Sequence, residues 1–320
     1  MPGTFTSYNK VRPGAYTNVV GLATADEQAG DRGIASLPLI LKWGEEKTMI
    51  TIEALSDFKD LLGYDSTDDE VLLAREAFKR ASSLLVYRVN TGVKAAVTTG
   101  NLTATAKYTG TRGNDITIVI TQNIDAVTFD VATQVDGVTE DLQEQLAVVA
   151  DLEDNNWVDF TGTGALALTA GSPLVGGTDG SPIAGDYTDY LAALELVTFN
   201  TTGYPGTDSG IKTSFDTFIN TYRDDQGFKV QAVLADYNGD YEGIINVTNG
   251  VILDDTTELT ADQAVAWVTG ATAAAEVNES LTFDSYDNAV DANPRRTNSD
   301  TITRLNNGEF MFTAKTVNGT

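Results

Sequence analysis

The hydrophobic period of this chain changes twice, and that double change limits its folds more than any other feature. Thr67-Asp68-Asp69-Glu70 has the pattern of a capping box, in which hydroxyl and carboxylate satisfy each other's free backbone donors. Val71, Leu72, Ala74, Ala77, Phe78 and Ala81 follow at helical spacing, and "SLLVYRVN" (83–90) is the continuous apolar run of a buried strand. From about 95 to 180 the period drops to two. "LTATAKY", "DITIVIT", "AVTFDVATQV", "NWVDF" and "ALALTA" alternate, are rich in Thr and Val, and are separated by Gly, Asn and Asp. Helical pattern returns at "DYTDYLAALELV" (186–197). The chain therefore predicts an α/β body in two pieces, 23–95 and 181–320, with an inserted small β-domain over 96–180.

The rest of the body fits this plan. "IASLPLILKWG" (34–44) is a strand, which Pro38 should confine to an edge or a bulge. "EALSDFKDLLG" (53–63) reads as a short helix closed by Gly63. Ile211, Phe215, Phe218, Ile219 and Tyr222 make 207–224 an amphipathic helix, and "FKVQAVLA" (228–235) a strand. "GIINVTNGVIL" holds one or two more strands. Thr260 to Gln263 opens a helix whose small residues permit close packing, and Asn298-Ser299 caps a last helix closed by Gly308. Ahead of the body, "TSYNKVRPGAYTNVVG" has no helical period, and Pro13-Gly14 splits two extended runs, so residues 1–22 predict an extended N-terminal arm. At the other end Glu309 to Lys315 reads as a strand with Phe310, Phe312 and Ala314 on one face; Asn318-Gly319 follows as a hairpin turn.

Composition removes whole classes of chemistry. With no Cys and no His, disulfides, thiol nucleophiles, zinc sites of ordinary composition and Ser-His-Asp catalysis are excluded. No window approaches 18 consecutive apolar residues, which predicts no membrane anchoring by a helix. "MPGTFTSYNK" has neither the basic nor the apolar region of a secretory signal. The net charge of −26 argues against nucleic acid or anionic lipid as partners. Its distribution is uneven: −2 over 1–95 (11 basic, 13 acidic), −10 over 96–180 (2 and 12) and −14 over 181–320 (7 and 21). Lys10 and Arg12 are the only charges in the first 22 residues, so a basic leading segment could settle on the acidic body of another copy; a solvated acidic surface that keeps the protein soluble accounts for the distribution equally well. "DYNGDYEG" (236–243) spaces carboxylates like a calcium loop but has Tyr241 and Val247 where that loop wants Gly and Glu; a polar turn fits better. "GGTDG" (176–180) lacks the lysine of a phosphate loop and reads as a turn. The stretch 278–300 is a long connection in which Phe283, Tyr286, Arg295 and Arg296 could face another surface.

Five stretches, in order, resemble contractile phage tail sheath proteins, a family also found in defective prophages and phage-tail-like bacteriocins. They are "RPGAYTNV" (12–19), "ASLPLILKWG" (35–44), "YTGTRGNDI" (108–116), "GGTDG" and "WVTGATAAAEVNESLTFDSYDNAVDANPR" (267–295). The last is long and specific. The resemblance implies a structural protein, neither enzyme nor cofactor binder, that packs with itself into helically stacked hexameric rings around an inner tail tube. It assembles on a baseplate in the bacterial host cytoplasm and ends in a virion or phage-tail-like particle. Terminal arms of the family extend sheets of neighbouring subunits. Here that places subunit-interface roles on Phe5, Tyr8, Lys10, Arg12, Tyr16 and Val19 of the arm, and on Phe310, Phe312 and Lys315 as the acceptor edge. Family chains continue to a further strand and a C-terminal arm, so a truncated subunit is expected here, or else a short variant using only its N-terminal arm. Two other classes compete: a surface-binding module with the β insertion as receptor-binding domain, and an enzyme on the α/β body.

Overall fold

The computed structural model describes residues 32–124, 127–276 and 278–314. In chain order come β1 (Ile34–Leu39), β2 (Met49–Ile52), α1 (Asp57–Leu62), α2 (Leu72–Phe78) and β3 (Ser83–Arg88). Strands alone follow, apart from short 3₁₀ turns: β4 (Ala96–Thr99), β5 (Leu102–Ala106), β6 (Ile116–Gln122), β7 (Phe129–Val135), β8 (Val138–Leu146), β9 (Val158–Gly162) and β10 (Thr169–Pro173). Next are α3 (Ala184–Leu194), β11 (Thr201–Tyr204), α4 (Ser209–Asp224), β12 (Gln231–Ala235), β13 (Ile244–Val247), β14 (Gly250–Leu253) and β15 (Glu258–Leu259). Last come α5 (Ala261–Ala274), β16 (Ala289–Asn293) and α6 (Asn298–Asn306).

Six strands form the central sheet in the order β13-β12-β11-β1-β3-β2, parallel except for β2 at one rim. Both faces are covered, which is why β1, β3 and β12 read as nearly continuous apolar runs. Leu84 and Val86 of β3 cluster with Ala74 and Ala77 of α2 and Ala266 of α5. Leu85 and Tyr87, one residue out of phase, cluster with Tyr190 of α3 and Phe215 and Ile219 of α4. Each large side chain buried this way stabilises the fold by about 1.5–3 kcal/mol. Helix α4 starts where the Asp208 carboxylate accepts the Ile211 N–H at 3.0 Å. Helix α5 opens on a reciprocal Thr260–Gln263 capping box and is buried nearly all round, so it lies inside the protein rather than on it.

Strands β4 to β10 make two antiparallel sheets, β10-β6-β7-β8 and β4-β5-β9. Their inward residues, among them Leu102, Ala104, Ile116, Ile118, Val131 and Val158, share one apolar cluster that runs on into Trp43 and Phe58 of the central sheet's layer. Trp43 packs on Trp157 (5.2 Å between centroids) and edge-on to Tyr108 (5.4 Å) across this junction. Polar ties reinforce it. Arg112 donates to the Gly63 carbonyl at 2.9 Å and pairs with Asp136 at 2.6 Å, its guanidinium 4.3 Å from the Tyr64 ring centre. Asn90 bonds Leu41 through both N–H and carbonyl and reaches the Asp179 carbonyl at 2.7 Å; the Asp179 carboxylate accepts the Thr111 N–H at 2.6 Å. Gly110 is required here, because a Cβ on it would lie 1.9 Å from the Lys42 carbonyl oxygen. The stretches "YTGTRGNDI" and "GGTDG" thus meet at one seam.

Three sequence expectations fail locally. Strand β1 is central, not an edge. Ile34 directs its N–H and carbonyl to Asn200 beside β11, and Pro38 faces that same side, but the β1–β11 ladder ends at Ser36. The missing N–H therefore breaks no rung. No capping box forms at Thr67. Asp68 turns back to accept the Asp65 N–H at 2.9 Å, Glu70 pairs with Lys42, and a 3₁₀ turn (Asp69–Val71) precedes α2. Arg75 holds that turn by donating to the carbonyls of Ser66 and Asp68. Thr297, not Asn298, caps α6, accepting the Asp300 N–H at 3.2 Å.

Candidate subunit interface

Strand β13 is the outermost of the central sheet on its side, and the chain returns to it after α6. Phe310 bridges Val247 in parallel: its N–H donates to the Asn246 carbonyl at 2.8 Å, and its carbonyl accepts from the Thr248 N–H at 3.0 Å. Two residues further on, a side chain substitutes for a strand. Asn249, only 1% exposed, accepts the Phe312 N–H on Oδ1 and donates from Nδ2 to the Phe312 carbonyl, both at 2.8 Å. A primary amide presents the same donor–acceptor pair as a peptide group, so it adds one rung to the ladder. The strand expected over Glu309 to Lys315 is thus a single bridge and this clamp among the described residues.

The rings of Phe310 and Phe312 face inward. They meet edge to face at 5.3 Å, and Phe312 stands edge-on to Tyr286 (5.4 Å) and Trp267 (6.0 Å), which stack at 4.5 Å. Behind them a charged chain locks α6 to the rim. Arg296 donates to the Thr248 carbonyl at 2.6 Å and pairs with Asp300, which also pairs with Arg304, which reaches Glu309 at 2.7 Å. The Arg296 hydrogen bond holds the Asp300 carboxyl below its usual range. By strand alternation Met311 and Thr313 direct their backbone N–H and carbonyl groups away from β13, and those groups have no partner among the described residues. Among the described residues that is an uncovered sheet rim, backed by α6 and its charged ties.

Substituting Asn249→Ala leaves the Phe312 backbone groups unpaired. It should cost about 1–3 kcal/mol. Because the opening is local, hydrogen exchange should speed up far more at Phe312 than at Val233 in β12. Equal effects at both amides would show that the clamp does not hold the rim.

The connection 278–288 carries the second exposed feature. Arg80 donates to Asp287 (2.7 Å), Asp284 (3.1 Å) and the Ser285 carbonyl (2.9 Å), and the Trp267 indole donates to Asp287 at 3.0 Å. Burial pushes the Asp287 carboxyl up, but the Trp267 and Arg80 hydrogen bonds outweigh it and hold it below the ordinary range. Phe283 is wholly exposed at φ +69° on this braced loop. Tyr286, expected to face outward with it, is buried and donates to the buried Glu76 carboxylate at 2.8 Å. Arg295 is exposed beside Asp291, whereas Arg296 turns inward as described.

Of the interface residues expected from sequence, the structure places Phe310 and Phe312 together on the rim. Phe5, Tyr8, Lys10, Arg12, Tyr16, Val19 and Lys315 lie outside the described residues. Sequence reasoning missed Asn249. "VTNGVIL" offers an Asn-Gly turn signal, and nothing in it shows that the amide would instead grip a segment 63 residues away.

Comparison with known proteins covers the described chain. Residues 32–89 match the domain III N-terminal region of tail sheath protein Gp18, 90–179 the phage tail sheath protein beta-sandwich domain, and 180–319 the phage tail sheath protein central domain. The phage-like element PBSX protein XkdK of Bacillus subtilis is 43% identical over 97% of this chain and 71% of its own length. The uncharacterized protein YqbK of the same organism shows the same identity and coverage. Among solved structures, the sheath tail protein of Desulfitobacterium hafniense is 54% identical, with a TM-score of 0.88 over 95% of this chain and 72% of that one. The sheath tail protein of Listeria innocua is 42% identical, with a TM-score of 0.81 over 90% and 67%. Fold, chain-long similarity and all three segment matches agree: this chain belongs to the phage tail sheath protein family.

Proposed function

We propose that this chain polymerises into stacked hexameric rings around an inner tail tube, on a baseplate, and contracts to drive the tube through a target envelope. The observation that carries the reading is the rim at Met311 and Thr313, whose outward backbone groups lack partners among the described residues. An extended segment of a second copy adding there gains main-chain hydrogen bonds without a large packed interface. Contacts of one copy's arm with another copy's edge are head-to-tail, and such contacts generate helical polymers when the rotation does not close. Arms that stay paired while bodies rotate allow contraction as a switch between two packings of the same subunits.

Within this reading residues 1–22 are the donor arm, steered by Lys10 and Arg12 onto an acidic neighbour. Residues 23–95 and 181–320 are the body. Residues 96–180, at −10, are an insertion pointing away from the tube.

Deleting residues 1–20 should abolish the rings or tubes seen by electron microscopy. It should also leave the unfolding free energy of the body within about 0.5 kcal/mol. Tubes formed by the deletion variant would show that the arm is not the link.

A further inference from the structure

Three Asn-Gly pairs fall among the described residues, at 238–239, 249–250 and 307–308, and the fold treats them differently. We propose that Asn238 is a site of spontaneous covalent modification, converted to aspartate and isoaspartate through a succinimide, and that the fold shields the other two. This goes beyond the sheath reading and does not depend on it.

The chemistry is intramolecular. The Gly239 backbone nitrogen attacks the Asn238 side-chain carbonyl carbon, an N–Cγ bond forms, and the Cγ–Nδ2 bond breaks. The proton from the attacking nitrogen leaves with the amide as ammonia. Water then opens the ring at either carbonyl, giving aspartate or its β-linked isomer. The reaction needs a backbone N–H that is not engaged, a side-chain amide that is not engaged, and a backbone free to bring them together. Glycine helps because no Cβ obstructs the approach.

Asn238 meets these conditions. It is exposed, in irregular backbone between β12 and β13. The loop is pinned at Tyr237, whose N–H donates to Asn246 (2.9 Å) and whose hydroxyl donates to Asp216 (2.9 Å), and at Tyr241, whose carbonyl accepts the Ile244 N–H (3.0 Å). Between those pins neither the Asn238 side chain nor the Gly239 N–H has a hydrogen-bond partner among the described residues. Asn249 fails the conditions. Its amide is held on Phe312, it is 1% exposed, and Gly250 lies inside β14, where even a Cβ would come within 1.8 Å of the Leu259 carbonyl oxygen. Asn307 fails because the Gly308 N–H donates to the Leu305 carbonyl at 3.0 Å and the Asn307 N–H is tied to the carbonyls of Thr303 and Arg304. Conversion of Asn238 adds a carboxylate to a loop already carrying Asp236, Asp240 and Glu242, and the isomer adds one backbone methylene just before the rim strand β13.

The test is peptide mapping by mass spectrometry of the full chain aged in warm, mildly alkaline buffer, with enzymatic methylation to count isoaspartate. In native buffer Asn238 should convert about tenfold faster than Asn249 or Asn307, which react only from locally opened forms. In denaturing urea the three rates should converge. Asn238→Gln should remove the leading product and leave the slow ones. Asn249 or Asn307 keeping pace with Asn238 in native buffer, or Asn238 staying intact while the urea-treated chain converts, would overturn the proposal.

Discussion

Gly270→Val should destabilise the protein by about 3 kcal/mol, the upper end of what overpacking a core usually costs. Helix α5 lies against α2 at backbone distance: a Cβ on Gly270 would sit 2.1 Å from the Ala77 carbonyl oxygen and 3.0 Å from its carbon. Neither atom belongs to a side chain that can swing away, so the two helices must separate. Separation pulls on the ties from α2 and the turn that follows it to the 284–287 loop, namely Glu76 with Tyr286 and Arg80 with Asp287. Gly270→Ala decides the sign cleanly. On helix propensity alone alanine should stabilise by about 1 kcal/mol; on contact geometry it should destabilise, and the contact is too short for propensity to win. Gly185 in α3 is the control. Apart from its chain neighbours and the helix's own backbone, the described residues bring nothing nearer a Cβ there than the Ile183 methyl at 3.9 Å, so Gly185→Ala should be neutral or stabilising. Thermal and urea unfolding of the four proteins check this, and a Gly270→Ala variant more stable than the parent would refute the close approach.

Arg112→Ala should cost about 2–4 kcal/mol, summing one charged hydrogen bond and its stacking on aromatic rings. The guanidinium is nearly buried at the seam, bonded to the Gly63 carbonyl and set over Tyr64, with Trp157 at 5.8 Å. Its partners Asp115 and Asp136 are about half exposed and regain water when it is removed, so the ion pairs themselves contribute little. Arg112→Lys should rescue little of the loss, because one ammonium cannot span the carbonyl and both carboxylates as a planar fork does. The loss should concentrate at the seam: exchange of amides near Gly63 and Thr111 should rise more than exchange in β12. Uniform loosening of the whole chain would argue that Arg112 is an ordinary core contributor.

Much of the fold was legible because its elements bury one face or both. Phe215 and Ile219 at helical spacing read as a helix against a core, and the short apolar run "SLLVYRVN" as a covered strand, and both form as read. What escaped was decided by partners far away in sequence. Pro38 sits in a central strand because the β11 ladder stops at Ser36, a length that no local pattern contains. The Thr67 box lost to Arg75, which fastens the preceding turn from inside the next helix. Tyr286 and Phe283 are three residues apart in one polar connection, and only the position of Glu76 on α2 decides which of them is buried. The candidate interface was half legible in the same way. Alternation placed Phe310 and Phe312 on one face, but it could not show that the face looks inward or that Asn249 would take the place of a strand.

Assembly by the proposed route requires that another copy fill the rim at Met311 and Thr313. Electron cryomicroscopy of assembled particles at a resolution that traces the backbone tests this most directly. The predicted result is a segment of a neighbouring copy hydrogen-bonded to Met311 and Thr313, so that the sheet runs from one subunit into the next. Particles in which both ends of every chain fold onto their own body, with no sheet passing between copies, would contradict it.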